Sequence, residues 1–463
     1  MGSIGAPGGS ARRQSPHPWK SGGLPVWGQG GWLLHPWGAT IRPGPRGSHH
    51  GACRRRSVSW RRMELNDDTR TIGRRLRELR VWRRKSLRVV AELAGISEGY
   101  LSKIERGLSP VDRRSLIVAL ARALEIAPQE LTALPVPAPG DQSTDAAVQA
   151  IRHALMAVKG SRPGGQVVPV DVLRDWIGQV REIRRRAGFA EVGAALPGLI
   201  RDLHTSIAAG RDVPALLEQA VVMHVHVTLM WLRNAGASLD LRWQAATLAQ
   251  DLARERSDPA TLGVAAFGTA NALLATGAFD LAQAKLDAVT LPPTTPDTAG
   301  LVGMVTMTRS LVAAADDRPE DVAAPMEAAA ELADRTGEPG EDNDYLGFGF
   351  GPTNVGLWNM ALALEAGEPD RAVSIAEGVH PERHPFATRQ AAYWVDYGRA
   401  LATVPRRRDD AIVALRTAER IFPTRVYRNP FARDTVTELL GRARREAGGR
   451  ELRGLAYRMG VAG

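Results

Sequence analysis

The chain has 463 residues, 44% of them hydrophobic and 24% charged, the balance of a globular protein with enough apolar surface for a sizeable core. Its one cysteine, Cys53, excludes a disulfide framework, a zinc finger and a cysteine-held iron–sulfur site, and no window holds 18 uninterrupted apolar residues. The net charge of +10 hints at nucleic acid, but residues 1–62 hold ten Lys and Arg with no Asp or Glu and account for all of it.

That first segment carries 13 of the 47 glycines and five of the 11 tryptophans, with neither a helical nor an alternating period. So little patterned apolar surface cannot offset the entropy of ordering, so residues 1–62 are expected to be disordered. Arg12-Arg13 is not followed by the apolar stretch of an export signal, since Pro16, Pro18, Lys20 and Pro25 interrupt it. The composition resembles translated GC-rich upstream sequence, which makes Met63 the expected natural start. Residues 63–463 hold 50 basic and 50 acidic side chains, so the pI near 10.3 is no argument for DNA.

From 69 to 134 the pattern predicts five short helices. Ile72, Leu76 and Leu79 give the first its apolar face. Ser86 is an N-cap for a second helix with Leu87, Val90, Ala91 and Ala94 inward, and Gly95 suits the left-handed residue that ends it. Ser97 caps a third helix with Leu101 and Ile104 inward, ended by Gly107. A fourth, from about Asp112, buries Leu116, Leu120 and Leu124, and Pro128 opens a fifth at its favoured first position. Helix, three-residue turn and helix, with small Ala91 at the crossing, is the geometry of a helix-turn-helix.

Ser86-Leu87-Arg88, Val90-Ala91-Glu92, Ala94-Gly95-Ile96-Ser97, Tyr100 to Gly107 and Leu120 to Leu124 together resemble the phage Cro/repressor-type, or Xre, helix-turn-helix domain. Three features depart from that pattern: Lys85 stands at a usually apolar position, Val89 and Leu93 at usually polar ones, and Glu125 in place of a common glycine. Val89 and Leu93, four apart, are expected to form an apolar stripe against another domain or subunit. In a helix-turn-helix the third helix enters the major groove, which turns Glu98, Gly99, Ser102, Lys103 and Arg106 toward DNA. Lys103 can donate to guanine, Ser102 can pair with several bases, and Glu98 can accept from cytosine or sit on the helix dipole. Gly99 permits close approach, and Tyr100 is expected to bond a phosphate through its hydroxyl. Ser86 and Ser97 mark helix starts whose N–H groups suit phosphates. From Arg70 to Arg88 nine basic residues stand against Glu78, and Arg83, Arg84 and Lys85 are the expected phosphate contacts.

Residues 135–146, starting Pro135-Val136-Pro137-Ala138-Pro139-Gly140, read as a linker. Residues 147–463 read as amphipathic helices broken by Gly and Pro, so the fold class is all-α: a five-helix domain followed by a tetratricopeptide-like α-solenoid. Four similar turn-plus-helix starts support repetition, at Ala278-Phe279-Asp280, Arg318-Pro319-Glu320, Glu368-Pro369-Asp370 and Arg407-Arg408-Asp409. Phe350 to Val355 and Asn429 to Asp434 resemble actinobacterial Xre regulators with such a C-terminal half. The resemblance implies a sensor and dimerisation region with a groove for a peptide or small molecule, in which Asn271, Asn354, Trp358 and Asn359 are candidates beside their plainer reading as caps and core.

No P-loop, nucleophile elbow or dinucleotide fingerprint is present in the sequence, and Pro352 spoils the glycine run at Gly347. The prolines in His380-Pro381-Glu382-Arg383-His384-Pro385 prevent both imidazoles sharing a helix face, so no metal is expected there. The expectation is a cytoplasmic, non-enzymatic, sequence-specific DNA-binding transcriptional regulator without a cofactor or membrane partner. It would bind double-stranded DNA as a homodimer on two half-sites and respond to a peptide or small-molecule effector. A protein-interaction scaffold with an accessory DNA-binding domain is the alternative, and an antitoxin-like role a third reading.

Overall fold

The structure, a computed structural model of the chain, describes residues 72–132, 142–340, 344, 346–443 and 449–461. The expected disorder of residues 1–62, the expected start at Met63 and linker residues 135–141 lie outside the described residues. Every regular element among the described residues is helical.

Five helices form the first layer: α1 Ile72–Trp82, α2 Leu87–Leu93, α3 Glu98–Glu105, α4 Arg114–Leu124 and α5 Pro128–Thr132. Leu76, Val90, Leu101, Ile104, Leu120 and Leu124 meet in one core, together with Val111 from the loop before α4. The next helix, α6 Gln142–Lys159, begins inside the stretch read as linker. Thr144 is buried and Asp145 pairs with Arg428 at 2.9 Å, so this end of the supposed linker is fixed by tertiary contact.

Three helical segments follow: α7 Val170–Arg185, α8 Phe189–Ala208 and α9 Val213–Val222. The last runs through a π-helical turn, Met223–Leu229, into α10 Met230–Asn234. The continuous Val213–Asn234 segment and Pro296–Ala315 are long and apolar enough to cross a membrane by composition, yet their apolar windows are 83% and 72% buried inside the protein, as in core helices. The π-turn sends both His224 and His226 inward. His224 shares a hydrogen bond with His204 at 2.9 Å between Nε2 atoms, while His226 stands edge-on to Phe348. Burial pushes His204 down to about 4 and holds the other two well below the ordinary imidazole range, so all three are neutral at pH 7.

The remainder is a succession of helices: α11 Leu239–Arg256, α12 Pro259–Thr276, α13 Phe279–Asp287, α14 Pro296–Ala315, α15 Ala323–Thr336, α16 Pro352–Glu365, α17 Pro369–Glu377, α18 Ala387–Thr403, α19 Arg408–Ile421, α20 Pro423–Tyr427, α21 Pro430–Ala443 and α22 Arg450–Arg458. The four repeated starts read from the sequence fall at the second helix of four hairpins, α12/α13, α14/α15, α16/α17 and α18/α19. First helices of successive hairpins also touch one another, α12 to α14, α14 to α16 and α16 to α18, which is a solenoid-like arrangement. Alanine makes this packing possible: Ala363, Ala372, Ala400, Ala411, Ala414 and Ala418 are all buried where helices approach.

The first layer docks on the later helices through polar contacts at helix starts. Glu365, at the end of α16, accepts the Ser115 N–H at 2.8 Å and pairs with Arg114 at 3.2 Å, covering the orphan donors of α4. Asp434 of α21 accepts the Val111 N–H at 2.9 Å and also receives the Ile72 N–H. Arg399 donates to the Asp112 carbonyl at 2.5 Å while lying 4.6 Å from the Phe431 ring centre, and Phe431 packs on the first-layer core. Burial pushes the Asp434 carboxyl up to about 7, the two backbone donors opposing it. A carboxyl raised in the fold binds its proton more tightly there than in the unfolded chain, so this contribution to stability is complete below about pH 4 and is lost as pH rises through about 7. Asp434→Asn keeps an acceptor carbonyl without the charge. The variant should melt several degrees above the parent at pH 8–9, with the gap narrowing below pH 7 and closing by about pH 4; a gap independent of pH in thermal melts would contradict this assignment.

Candidate nucleic-acid interface

The helix pair α2/α3 owes its geometry to four residues. Ser86 and Ser97 are N-caps whose hydroxyls accept the Val89 and Tyr100 N–H groups, each at 3.2 Å. Gly95 (φ +68°) and Gly107 (φ +66°) end the two helices in the left-handed conformation that costs glycine least. Ala91 is buried at the crossing, as its size requires. A further glycine, Gly73, was not singled out in the sequence: a Cβ there would lie 2.0 Å from the Ile104 carbonyl oxygen, so α1 and α3 cross backbone to backbone.

Packing Leu101 and Ile104 inward leaves one face of α3 outside the protein. Ser97, Glu98, Gly99, Lys103 and Arg106 are exposed and Ser102 is half-buried. Arg106 donates to the Ser102 carbonyl at 3.1 Å, which folds its guanidinium along the helix end. Of the expected DNA contacts on α3, one is corrected. The Tyr100 ring is half-buried and its hydroxyl lies with Ser109 and Arg113, near Asp112; burial raises its pKa. It ties the recognition helix to the loop before α4 rather than reaching for a phosphate.

The basic run is sorted by its partners. Arg80 forms a two-pronged pair with Glu105, at 2.6 and 2.8 Å, with side chains only 12% and 5% exposed. Arg83 donates to the Glu125 carbonyl at 2.9 Å, and Lys85 donates to the Ala123 carbonyl at 2.7 Å and to the Glu125 carboxylate at 2.9 Å. Both cover the C-terminal end of α4, where carbonyls lack intrahelical partners. Arg83 and Lys85 are thereby withdrawn from the expected phosphate contacts, and Arg84 remains exposed beside them. Glu125 itself adopts φ +57°, a glycine-favoured conformation, and its carboxylate draws Lys85 to this corner. The apolar stripe expected to pack against another domain or subunit is not covered by another domain here: Val89 and Leu93 are open on α2, as are Val81 and Trp82 at the end of α1.

The four candidates in the later helices separate into two pairs. Asn271 and Trp358 line a cavity of about 280 Å³ bounded by α4 and α5 on one side and by α10, α12, α16, α18 and α20 on the other. Asn271 spends its amide on the Phe267 carbonyl of its own helix at 3.0 Å, whereas the Trp358 indole N–H is buried without a partner. Asn354 stands behind the wall, donating to the Gly349 carbonyl at 2.8 Å and accepting from Arg389. Asn359 is half-buried and does not line the cavity. The sequence reading missed the cavity's arginines, which come from five different helices and share no motif.

A helix-turn-helix domain family model matches residues 71–134, the five-helix layer. No curated protein and no solved structure matches the chain significantly. The chain thus carries a helix-turn-helix DNA-binding domain joined to a large helical region. The Arg80–Glu105 pair holds α1 against the last turn of α3, and removing one partner strands a buried charge. Glu105→Ala should therefore lower stability by on the order of 3 kcal/mol. Urea unfolding followed by circular dichroism checks this, and a loss below half that size would show the pair to be incidental.

Proposed function

We propose that the protein is a sequence-specific transcriptional regulator of the Xre type, acting in the cytoplasm and without catalytic chemistry. The observation that carries this reading is the free face of α3. Lys103, Glu98 and Arg106 are open to solvent on a helix whose start is capped by Ser97 and whose back is locked to α1 by Arg80–Glu105. A rigid, exposed helix of about two turns, presented beside its partner helix, is what a major groove admits. Ser102 and Lys103 are the base-reading side chains in this view, with Glu98 at the helix start; Arg84 and the N–H groups at the starts of α2 and α3 hold phosphates.

One such module buries too little surface for firm operator binding, so a homodimer on two half-sites completes the reading. The exposed Val89–Leu93 stripe supports a second copy, since the two side chains keep 43% and 60% of their surface open on one face of α2. The successive hairpins support a tetratricopeptide-like effector region, and the cavity between them and α4/α5 is where a peptide or small molecule would act on the DNA-binding layer. An effector would work by binding one arrangement of that layer more tightly than another.

The two kinds of DNA contact predict different losses. Lys103→Ala should cut discrimination at one base-pair position by about 1–3 kcal/mol while leaving non-specific binding nearly unchanged. Arg84→Ala should weaken binding to every sequence alike and lower the slope of log K against log salt by about one. Fluorescence anisotropy with a genome-selected site and its single-base variants, between 50 and 200 mM salt, reads both; identical behaviour of the two variants would overturn the division of roles.

A further inference from the structure

The cavity between the DNA-binding layer and the hairpins is unusual in its charge. Seven arginines line it against three carboxylates, a formal excess of four positive charges. The carboxylates are already engaged. Glu365 holds Arg114 and the Ser115 N–H, Asp396 pairs with Arg399 at 2.8 Å, and Asp112 lies beside Arg399 and Arg113. Arg428 pairs with Asp145.

Four guanidiniums remain: Arg233, Arg242, Arg389 and Arg425. Among the described residues none of them has a carboxylate at ion-pair distance. Arg425 reaches only the Asn234 amide oxygen, at 3.2 Å, and Arg389 only that of Asn354. The Nε atoms of both are buried without a partner. Arg233 is enclosed by protein yet keeps open surface of its own, as a side chain facing a cavity does. Burial, followed by the charges of Arg425, Arg114, Arg242 and Arg389, pushes Arg233 well below the ordinary arginine range, and burial brings Arg242 and Arg389 down to about 10. All still carry their protons at neutral pH; Asp396 partly offsets Arg389 and Arg425, while Arg233 and Arg242 have no carboxylate beside them, so the cavity holds an excess of positive charge. The rest of the wall is mixed: Leu239, Leu274, Leu311, Leu357 and Phe431 are apolar, Gln129, Thr132, Asn234, Asn271, Tyr393 and Asn429 are polar, and Trp358 offers its free indole N–H.

We propose that this cavity is a ligand site for a small acid, an apolar body bearing a carboxylate or phosphate head, with the head held by Arg233, Arg242, Arg389 and Arg425. The arrangement matches that chemistry in three ways. Guanidinium forks bind planar oxyanions in pairs. The leucines and Phe431 offer the apolar part of the wall to the body, and a volume of about 280 Å³ is at the small end for ligand sites. The inference rests on the effector reading above and names the class of effector. Arg114, Glu365 and Asp112 belong both to the cavity wall and to the contacts that dock α4, so the ligand meets the residues that set how the DNA-binding layer is held.

The test uses the full chain with three probes sharing one body: octanoate, octyl phosphate and octanol. Calorimetry and thermal melts should show at least one of the acids binding one per chain and raising the melting temperature, with octanol at least tenfold weaker; whichever acid binds more tightly identifies the head group. Arg233→Gln should weaken acid binding at least tenfold, yet melt at or above the parent temperature without ligand, because it removes a repelled charge that bonds nothing. Arg242→Gln should weaken binding similarly. Failure of both acids, octanol binding as tightly as the acids, or unchanged acid binding in both variants overturns the proposal. Neither readout contains DNA, so a negative result leaves the operator-binding reading standing, and a failed operator assay does not touch this one.

Discussion

The arrangement depends on backbone N–H groups at the edge of the DNA-binding layer that this layer cannot satisfy alone. The start of α4 and the loop before it present donors that would be buried unpaired once the layer meets the hairpins, a cost of about 1–3 kcal/mol each. Glu365 and Asp434 remove that cost by accepting them from across the interface. Such contacts are directional: a shift of an ångström breaks them, whereas an oily contact would tolerate it. The polar docking therefore fixes the orientation of α3 relative to the helical region, and Phe431 supplies the apolar anchor that keeps the joint closed. Tyr100 extends this constraint into the recognition helix, because its hydroxyl meets the loop that Arg399 and Asp434 hold.

Local signals in the sequence carried the DNA-binding layer far. Ser86, Ser97, Gly95 and Gly107 act through their own backbone neighbours, so cap and turn chemistry locates them without tertiary knowledge. The repeated Asp-containing helix starts were legible for the same reason, and they fell at the hairpin turns. What escaped was whatever depends on residues far apart in the chain. The π-turn at Met223–Leu229 carries no glycine or proline that would mark a change of helix type in the sequence. The early start of α6 goes with the Asp145–Arg428 pair, whose arginine lies in the turn after α20, far away in the chain. Asn354, read as a groove residue, instead braces Arg389 from behind because the Gly349 carbonyl claims its amide.

Charge runs were the least faithful guide, and the reason is specific. Nine basic residues between Arg70 and Arg88 look alike in sequence, yet Arg80 is neutralised by Glu105 from α3, while Arg83 and Lys85 close the end of α4. Lys85 and Glu125 are both departures from the pattern that the sequence resembles, and in the structure they meet. A left-handed non-glycine residue is strained by its Cβ, and here that residue brings the carboxylate that recruits a lysine onto the exposed carbonyls of the helix it ends. Neither substitution makes sense singly. As a pair they form an electrostatic cap at a left-handed position that glycine favours.

Arginine ends up in two contrasting settings within one chain whose residues 63–463 sum to zero charge. On the DNA-facing side, Arg84 and Arg106 stand in water, where salt screens them within about 8–10 Å and only a dense line of phosphates returns a large attraction. Inside the cavity the same group faces other arginines across a wall of mixed polarity, and burial and like charge both work against the protonated Arg233. Exposed charge waits for a polyanion at little cost, whereas enclosed charge is a standing destabilisation that a single oxyanion relieves. The two classes of site therefore differ in how occupancy registers. Phosphate contact changes how tightly the protein holds DNA, whereas an anion in the proposed cavity site would change the stability of the joint on which α4 and, through it, α3 are mounted.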